Sequence, residues 1–130
     1  MSEIVLPPYA QNLGIHVLRM EGAAPLLACD PDDRAYGRAG FWHGGALSGL
    51  LEMAALAAVR SVLGIEGSRM KPVNITVQFM RGASLQPTFA LGRVERAGRR
   101  MVNVSAEAWQ EDRNRLVASA RMNVMLRAAD

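Results

Sequence analysis

The sequence predicts an α+β domain in which an antiparallel sheet of about six strands curls around one long central helix. Three observations predict it. Residues 46–63 form a proline-free apolar run, two short strand-like runs precede it, and four follow it. A helix that is apolar on nearly all sides is buried on nearly all sides, whereas alternating strands bury one face. A sheet wrapped around the helix satisfies both requirements.

Composition limits the possible classes of protein. The 130 residues make one domain, 1–130, large enough for a single core. With one cysteine, Cys29, and two histidines, neither an internal disulfide nor a metal site is expected. A cytoplasmic location fits the single cysteine and the absence of a signal-peptide pattern in the first residues. The net charge of +3 favours a polyanionic partner of unspecified kind, and a phosphate-bearing small molecule suits it. The basic residues form no run with aromatics, so nucleic acid is not expected.

The elements before the helix are short. Residues 2–12 contain Pro7 and Pro8 and predict one helical turn that begins at a proline. Residues 13–20 and 25–29 have strand-like spacing around a turn at Gly22. Residues 30–40 form a polar loop with one proline and two glycines.

The central helix is the best-defined local element. Alanine and leucine dominate from residue 46 to residue 63, and both favour helix. Only Ser48 and Glu52 are polar between residues 46 and 59. Glu52 and Arg60 argue against a membrane span, despite the length of the run. We therefore expect the buried helix of a domain with no membrane partner.

Four strand-like runs follow, with turns rich in glycine, arginine and asparagine between them. Apolar and polar residues alternate within them, as in half-buried strands. We expect a four-stranded meander made of residues 73–80, 89–96, 101–110 and 115–126.

Two features of the helix point to chemistry. Gly44 and Gly45 precede it, where backbone N–H groups lack intrahelical partners and the helix dipole is positive. Such amides stabilise a carbonyl oxygen that gains negative charge, although a glycine pair also suits close packing and a tight turn. Glu52 is a lone carboxylate in an apolar helix, a setting suited to a base or a nucleophile.

The spacing of these features predicts a dimer. Eight residues separate Gly44 from Glu52, which places them about 12 Å apart along the helix axis. An oxyanion donor and a carboxylate that act on one carbon must both lie close to it. Two helices related by a two-fold axis satisfy this reciprocally, each giving an amide to one site and a glutamate to the other.

Several motifs of the sequence, taken in order, resemble those of a known family. The sequence His43-Gly44-Gly45 is followed by Leu51-Glu52-Met53-Ala54, residues 73–80 end in Arg81-Gly82-Ala83, and Gly98-Arg99-Arg100 forms a basic turn. In this order, over residues 13–126, they are similar to the hotdog-fold acyl-CoA thioesterases of the PaaI type, from phenylacetate degradation.

The resemblance implies hydrolysis of an acyl-CoA to an acid and coenzyme A, with no cofactor besides the coenzyme A of the substrate. It implies that the Gly44 amide polarises the carbonyl and that Glu52 of the partner subunit attacks it or activates water. His43 then orients the loop or contacts the thioester. The remaining substrate and coenzyme A contacts are Gly45, Asn74, Arg81, Gly98, Arg99 and Arg100, of which the arginines would hold phosphates. A homodimer, and beyond it a homotetramer, is expected.

Alternatives remain beside the thioesterase. Many members of the family have an asparagine at the position of Gly37, so some polar assistance is missing here. Asn74 is either a substitute contact or an outward strand residue, and the arginines are either phosphate ligands or solvated turn charges. The same fold serves non-catalytic acyl-CoA sensors, and also dehydratases with a longer spacing from histidine to acid. The acyl group depends on the walls formed by Trp42, Met53, Met70 and Met80.

Overall fold

The computed structural model describes residues 4–128 as one six-stranded antiparallel sheet around one long helix. Residues 1–3, at the start of the predicted N-terminal segment, lie outside the described residues. The elements are α1 (Pro8–Asn12), β1 (Ile15–Glu21), β2 (Ala24–Cys29), α2 (Gly44–Leu63), β3 (Met70–Phe79), β4 (Thr88–Ala97), β5 (Met101–Trp109) and β6 (Ala118–Leu126). Short 3₁₀ turns cover Asp33–Ala35 and Gly67–Arg69. The predicted architecture is confirmed.

The predicted meander of four strands is wrong in one respect. The strand order is β1-β2-β4-β5-β6-β3, so β3 pairs with β6 at an edge and not with β4. The connection 80–87 is longer than a hairpin turn and crosses the end of the sheet. There the N–H groups of Met80 and Arg81 donate to the Val117 carbonyl. The meander therefore consists of β4, β5 and β6 only.

Element boundaries differ by a few residues. The helix α2 begins at Gly44, two residues before the predicted start, because the His43 side chain caps it. The last strand begins at Ala118 and not at residue 115, because the preceding turn continues through a hydrogen bond from Arg115 N–H to the Asp112 carbonyl.

One side of α2 lies directly against the sheet. A Cβ atom added to Gly92 of β4 would overlap the Ala54 carbonyl oxygen and lie 2.8 Å from the Ala58 Cβ. The strand and the helix backbone therefore meet through a glycine and alanines, with no room for a larger residue. This contact explains why α2, though long and apolar enough to cross a membrane, is the core helix of the domain.

The other side of α2 is not fully covered. Between Ala46 and Arg60, four residues are half-buried and all the others are buried. The four are spaced four residues apart, so they form one stripe along the helix. We call this stripe, made of Ser48, Glu52, Leu56 and Arg60, the open stripe. The edge strand β3 is also exposed, with Val73 50% and Phe79 56% accessible.

Candidate active site

His43 organises the start of α2. Its Nδ1 accepts a hydrogen bond from the Gly45 N–H at 2.8 Å. The backbone N–H of His43 donates to the Ala35 carbonyl at 2.6 Å, and the backbone N–H of Trp42 donates to the Ala83 carbonyl at 2.9 Å. Since Nδ1 is an acceptor, the neutral ring carries its proton on Nε2. The exposed ring is therefore held in one orientation by the loop, with a donor left for an outside group.

Of the two glycine amides, Gly44 is the one left available. The Gly45 N–H is taken by His43, whereas the Gly44 N–H forms no hydrogen bond within residues 4–128. Gly44 lines a surface cleft of about 340 Å³ together with Phe41, Phe79 and Arg81. An unpartnered amide at a helix N-terminus binds oxygen atoms that carry negative charge.

Glu52 lies on the open stripe and is half-buried. Its carboxylate forms no hydrogen bond or ion pair with any residue between 4 and 128. The buried residues Leu51 and Met53 flank it along the chain. Because Gly44 and Glu52 are about 12 Å apart along one helix axis, a single protomer does not bring them to one point.

Tyr9 is a neighbour of this region that the sequence analysis missed. Its ring covers Gly49, and a Cβ atom there would overlap the Tyr9 hydroxyl. Gly49 precedes Glu52 by three residues, so the two positions are adjacent on the helix surface. The Tyr9 hydroxyl has no hydrogen-bond partner in the described part of the chain. In the sequence, the one sign of this contact is Gly49 itself, a glycine within an alanine- and leucine-rich helix.

Gly37 packs against the loop that carries His43. Its N–H donates to the Phe41 carbonyl at 3.0 Å, and an added Cβ would lie 2.8 Å from the His43 Cα. An asparagine side chain, which the resemblance places at this position, therefore has no room in this loop conformation.

Asn74 lies away from α2. The next residue, Ile75, packs against the core, so Asn74 faces the outer surface of the sheet. Its Oδ1 accepts a hydrogen bond from the Asn123 Nδ2 at 3.0 Å, and Asn103 in turn donates to Asn123. The structure thus places Asn74 in a row of amides and not beside His43.

The predicted basic residues fall at two ends of the sheet. Arg81 lines the cleft at Gly44, where its Nε donates to the Leu116 carbonyl at 3.1 Å. Gly98, Arg99 and Arg100 form the exposed β4–β5 turn, which lies at the end of the sheet where β3 begins. The length of β3, about 30 Å, separates these groups within one protomer.

The end of the sheet with the β4–β5 turn is strongly basic. Backbone hydrogen bonds connect the chain segments at this end. The Arg127 N–H donates to the Arg69 carbonyl and the Leu126 N–H donates to the Arg100 carbonyl, both at 2.7 Å. None of its cations forms an ion pair with a residue between 4 and 128. We call this set the basic end; it consists of Arg69, Lys71, Arg96, Arg99, Arg100 and Arg127.

Neither the Cys29 thiol nor a cluster of metal ligands adds a second reactive site in the described residues. Burial raises the pKa of the Cys29 thiol to about 11, so it is a protonated core residue at neutral pH. Within residues 4–128, no three His, Cys, Asp or Glu side chains come together as metal ligands would.

The sequence and the fold are both similar to those of known proteins. Residues 39–117 match the thioesterase superfamily. The structure is similar to a phenylacetic acid degradation-related protein from Ralstonia eutropha, with 25% identity, a TM-score of 0.81 and coverage of 95% of this chain and 92% of that chain.

Two more distant structures share the fold. A mutant of the phenylacetic acid degradation protein PaaI from Thermus thermophilus has 20% identity and a TM-score of 0.79, over 94% of this chain and 100% of that chain. Zebra fish thioesterase superfamily member 2 has 18% identity and a TM-score of 0.76, over 87% and 81%. No curated protein matches the sequence.

Proposed function

Since the chain belongs to the thioesterase superfamily, we propose that it hydrolyses acyl-CoA thioesters in the cytoplasm, at sites shared by two subunits. Family membership supports thioester hydrolysis in general. The free amide of Gly44 and the free carboxylate of Glu52 support this particular assignment of residues. Within residues 4–128, each of these groups lacks a partner, and both positions lie along the uncovered side of the core helix.

The geometry of α2 favours a two-fold dimer. If Gly44 of one subunit faces Glu52 of the other, and the reverse, the axis passes beside Ser48, midway between them. Gly45 and Ser48, beside that point, are small, so two helices approach closely there, next to the Tyr9 ring that covers Gly49. The exposed edge strand β3 supplies unpaired backbone groups beside the same surface. Two such dimers would make the expected tetramer.

In this arrangement each group has a defined role. The Gly44 N–H donates to the thioester oxygen as negative charge develops on it. Glu52 of the partner subunit either attacks the carbonyl carbon or takes a proton from an attacking water. In the water route, the new C–O bond forms, the C–S bond breaks, and the proton passes to the leaving thiolate. His43 holds the Gly45 amide and offers its Nε2 proton toward the substrate.

The basic end suits the phosphates of coenzyme A. In an antiparallel pairing of two β3 strands, the start of one strand lies next to the end of the other. The basic end of one subunit, with Arg99 and Arg100, then lies beside the Gly44 and Arg81 cleft of its partner. Guanidinium groups bind phosphate oxygens bidentately, and six cations without carboxylate partners favour a polyanion.

The position of Glu52 on the open stripe carries this proposal, and Glu52→Gln tests it. The variant should fold, dimerise and lose roughly a hundredfold to ten-thousandfold in turnover, measured as free thiol released from a panel of acetyl, medium-chain, long-chain and aryl coenzyme A esters. Glu107→Gln, on the exposed face of β5, is the matched control and should keep wild-type turnover. Equal turnover in the two variants would remove Glu52 from the mechanism.

Gly37 favours a second candidate, a non-catalytic acyl-CoA sensor on the same fold. Because this loop has no room for a side chain at Gly37, one polar contact to the substrate is absent. A sensor would bind acyl-CoA, measured by calorimetry, and release no thiol from any ester of the panel. Thiol release that depends on Glu52 would exclude the sensor.

A further inference from the structure

An apolar cavity opens beside the open stripe of α2. Its volume is about 280 Å³, and it lies between the helix, the N-terminal segment and the start of β3. Its walls are chiefly aliphatic side chains and methionines, among them Ile4, Leu6, Met53, Leu56 and Met70. Such walls suit a hydrocarbon chain and exclude water from it.

The one charged group that lines this cavity is Arg60. Its Nη1 donates to the Val5 carbonyl at 3.1 Å. Its Nε is buried and has no hydrogen-bond partner in the described part of the chain. No ion pair joins Arg60 to a carboxylate within residues 4–128. Within these residues the guanidinium therefore has one carbonyl acceptor and no carboxylate, and a buried donor such as Nε is costly without an acceptor.

The cavity and the proposed reaction site lie along the same stripe of α2, since Leu56 and Arg60 line the cavity and Glu52 precedes Leu56 by four residues. Glu52, Leu56 and Arg60 follow one another on the open stripe, and Glu52 and Arg60 are about 12 Å apart along the axis. With the two-fold axis beside Ser48, the helix of the partner begins opposite Glu52, and it leaves Leu56 and Arg60 free. An acyl chain that starts at Glu52 therefore runs past Leu56 toward Arg60.

We propose that the preferred acyl group is a medium-length chain that ends in a carboxylate, and that the guanidinium of Arg60 binds this carboxylate. This inference rests on the proposed function. The methylene groups contact Met53, Leu56 and Met70, and the terminal carboxylate supplies the acceptor that Arg60 lacks. A bidentate carboxylate matches the guanidinium fork in shape and charge. A chain with a methyl end would leave the Arg60 charge without a carboxylate partner.

The test compares matched esters that differ at the far end of the chain. Thiol release is measured for adipyl-CoA against hexanoyl-CoA, and for suberyl-CoA against octanoyl-CoA, in the wild type, Arg60→Met and Arg93→Met. The wild type should favour the carboxylate-ended member of at least one pair by roughly tenfold to a hundredfold in kcat/KM. Arg60→Met should abolish or invert this preference. Arg93→Met, which removes an exposed charge on β4, should keep it.

The ratio within a pair separates a substrate contact from a structural role. Arg60 also holds the N-terminal segment through Val5, but a loosened segment lowers the rate with both members of a pair. Hydrolysis of all the esters without preference in the wild type, or an unchanged ratio in Arg60→Met, would overturn the inference and leave the thioesterase intact. Release of no thiol from any ester would overturn the thioesterase as well.

Discussion

The two sides of α2 differ in how they are filled. On the closed side, Gly92 meets the Ala54 backbone and the Ala58 Cβ, and nothing larger than a methyl group separates strand from helix at this point. On the open stripe, the side chains of Glu52 and Arg60 are half-buried and lack charged partners within the described residues. The closed side holds the fold together, and the open stripe is the side that the proposal assigns to a partner subunit and a substrate.

The difference shows how one helix serves both stability and chemistry. Small residues at Gly92, Ala54 and Ala58 let the sheet approach the helix backbone closely. The same close approach fixes the position and orientation of α2 on the sheet. The groups on the open stripe are therefore held by a rigid backbone. In the proposed dimer, another molecule completes this surface and supplies partners to its polar groups.

The largest effect is expected from a methyl group on the closed side. Gly92→Ala should lower the free energy of unfolding by about 3 kcal/mol, because the new Cβ overlaps the Ala54 carbonyl oxygen and neither backbone has room to move. Urea denaturation followed by circular dichroism measures it.

The same substitution at the start of the helix is the control. A Cβ on Gly44 would lie 3.4 Å from the Phe79 ring, which is an ordinary contact. Gly44→Ala should therefore keep its stability but lose roughly tenfold or more in thiol release, since the methyl group crowds the amide that binds the carbonyl. Equal stability losses in Gly92→Ala and Gly44→Ala would contradict the distinction between the two sides.

A smaller effect is expected from charge at the proposed two-fold axis. Ser48→Arg places two like charges opposite each other, so the dimer should dissociate at micromolar concentration while each protomer stays folded. Val62→Arg, at an exposed position near the end of α2, is the control and should remain dimeric. Sedimentation velocity measures both. A Ser48→Arg variant that dimerises as well as the control would place the axis elsewhere.

Local patterns predicted the elements better than their arrangement. The alternation in β5 and β6 and the apolar run of α2 follow from which residues are buried, and burial is visible in sequence. The position of β3 at the far edge is different, because the length and path of the connection after Phe79 decide it. No alternation distinguishes pairing with β4 from pairing with β6.

The site was less predictable than the fold, for a geometric reason. The motif directed attention to Gly44 and Glu52, but which amide is free depends on the His43 side chain, which engages Gly45. The cavity at Arg60 depends on the N-terminal segment that lies against α2, a contact between residues more than fifty positions apart. Such contacts leave no periodic trace in a sequence.

The smallest effect concerns an ion pair on the outer surface, remote from the open stripe. The carboxylate of Glu21 accepts hydrogen bonds from both terminal nitrogens of Arg113 at 2.8 and 2.9 Å, which hold the pKa of Glu21 below its usual value of 4.5. A lowered pKa contributes stability above the unfolded value, and that stability is lost as the pH falls through the folded value.

Glu21→Gln should therefore lower the free energy of unfolding by at most about 1 kcal/mol at neutral pH, since both side chains contact water. The difference from wild type should shrink to nothing well below the ordinary glutamate pKa of 4.5. Urea denaturation at neutral pH and at this low pH measures the difference in free energy of unfolding. The control is Glu66→Gln, which removes a charge that forms no ion pair within residues 4–128. Thiol release should be unchanged in both variants, because neither residue touches the open stripe. A loss of turnover in Glu21→Gln would mean that the outer surface and the open stripe are coupled through β1 and β2, and that the two sides of α2 are not independent.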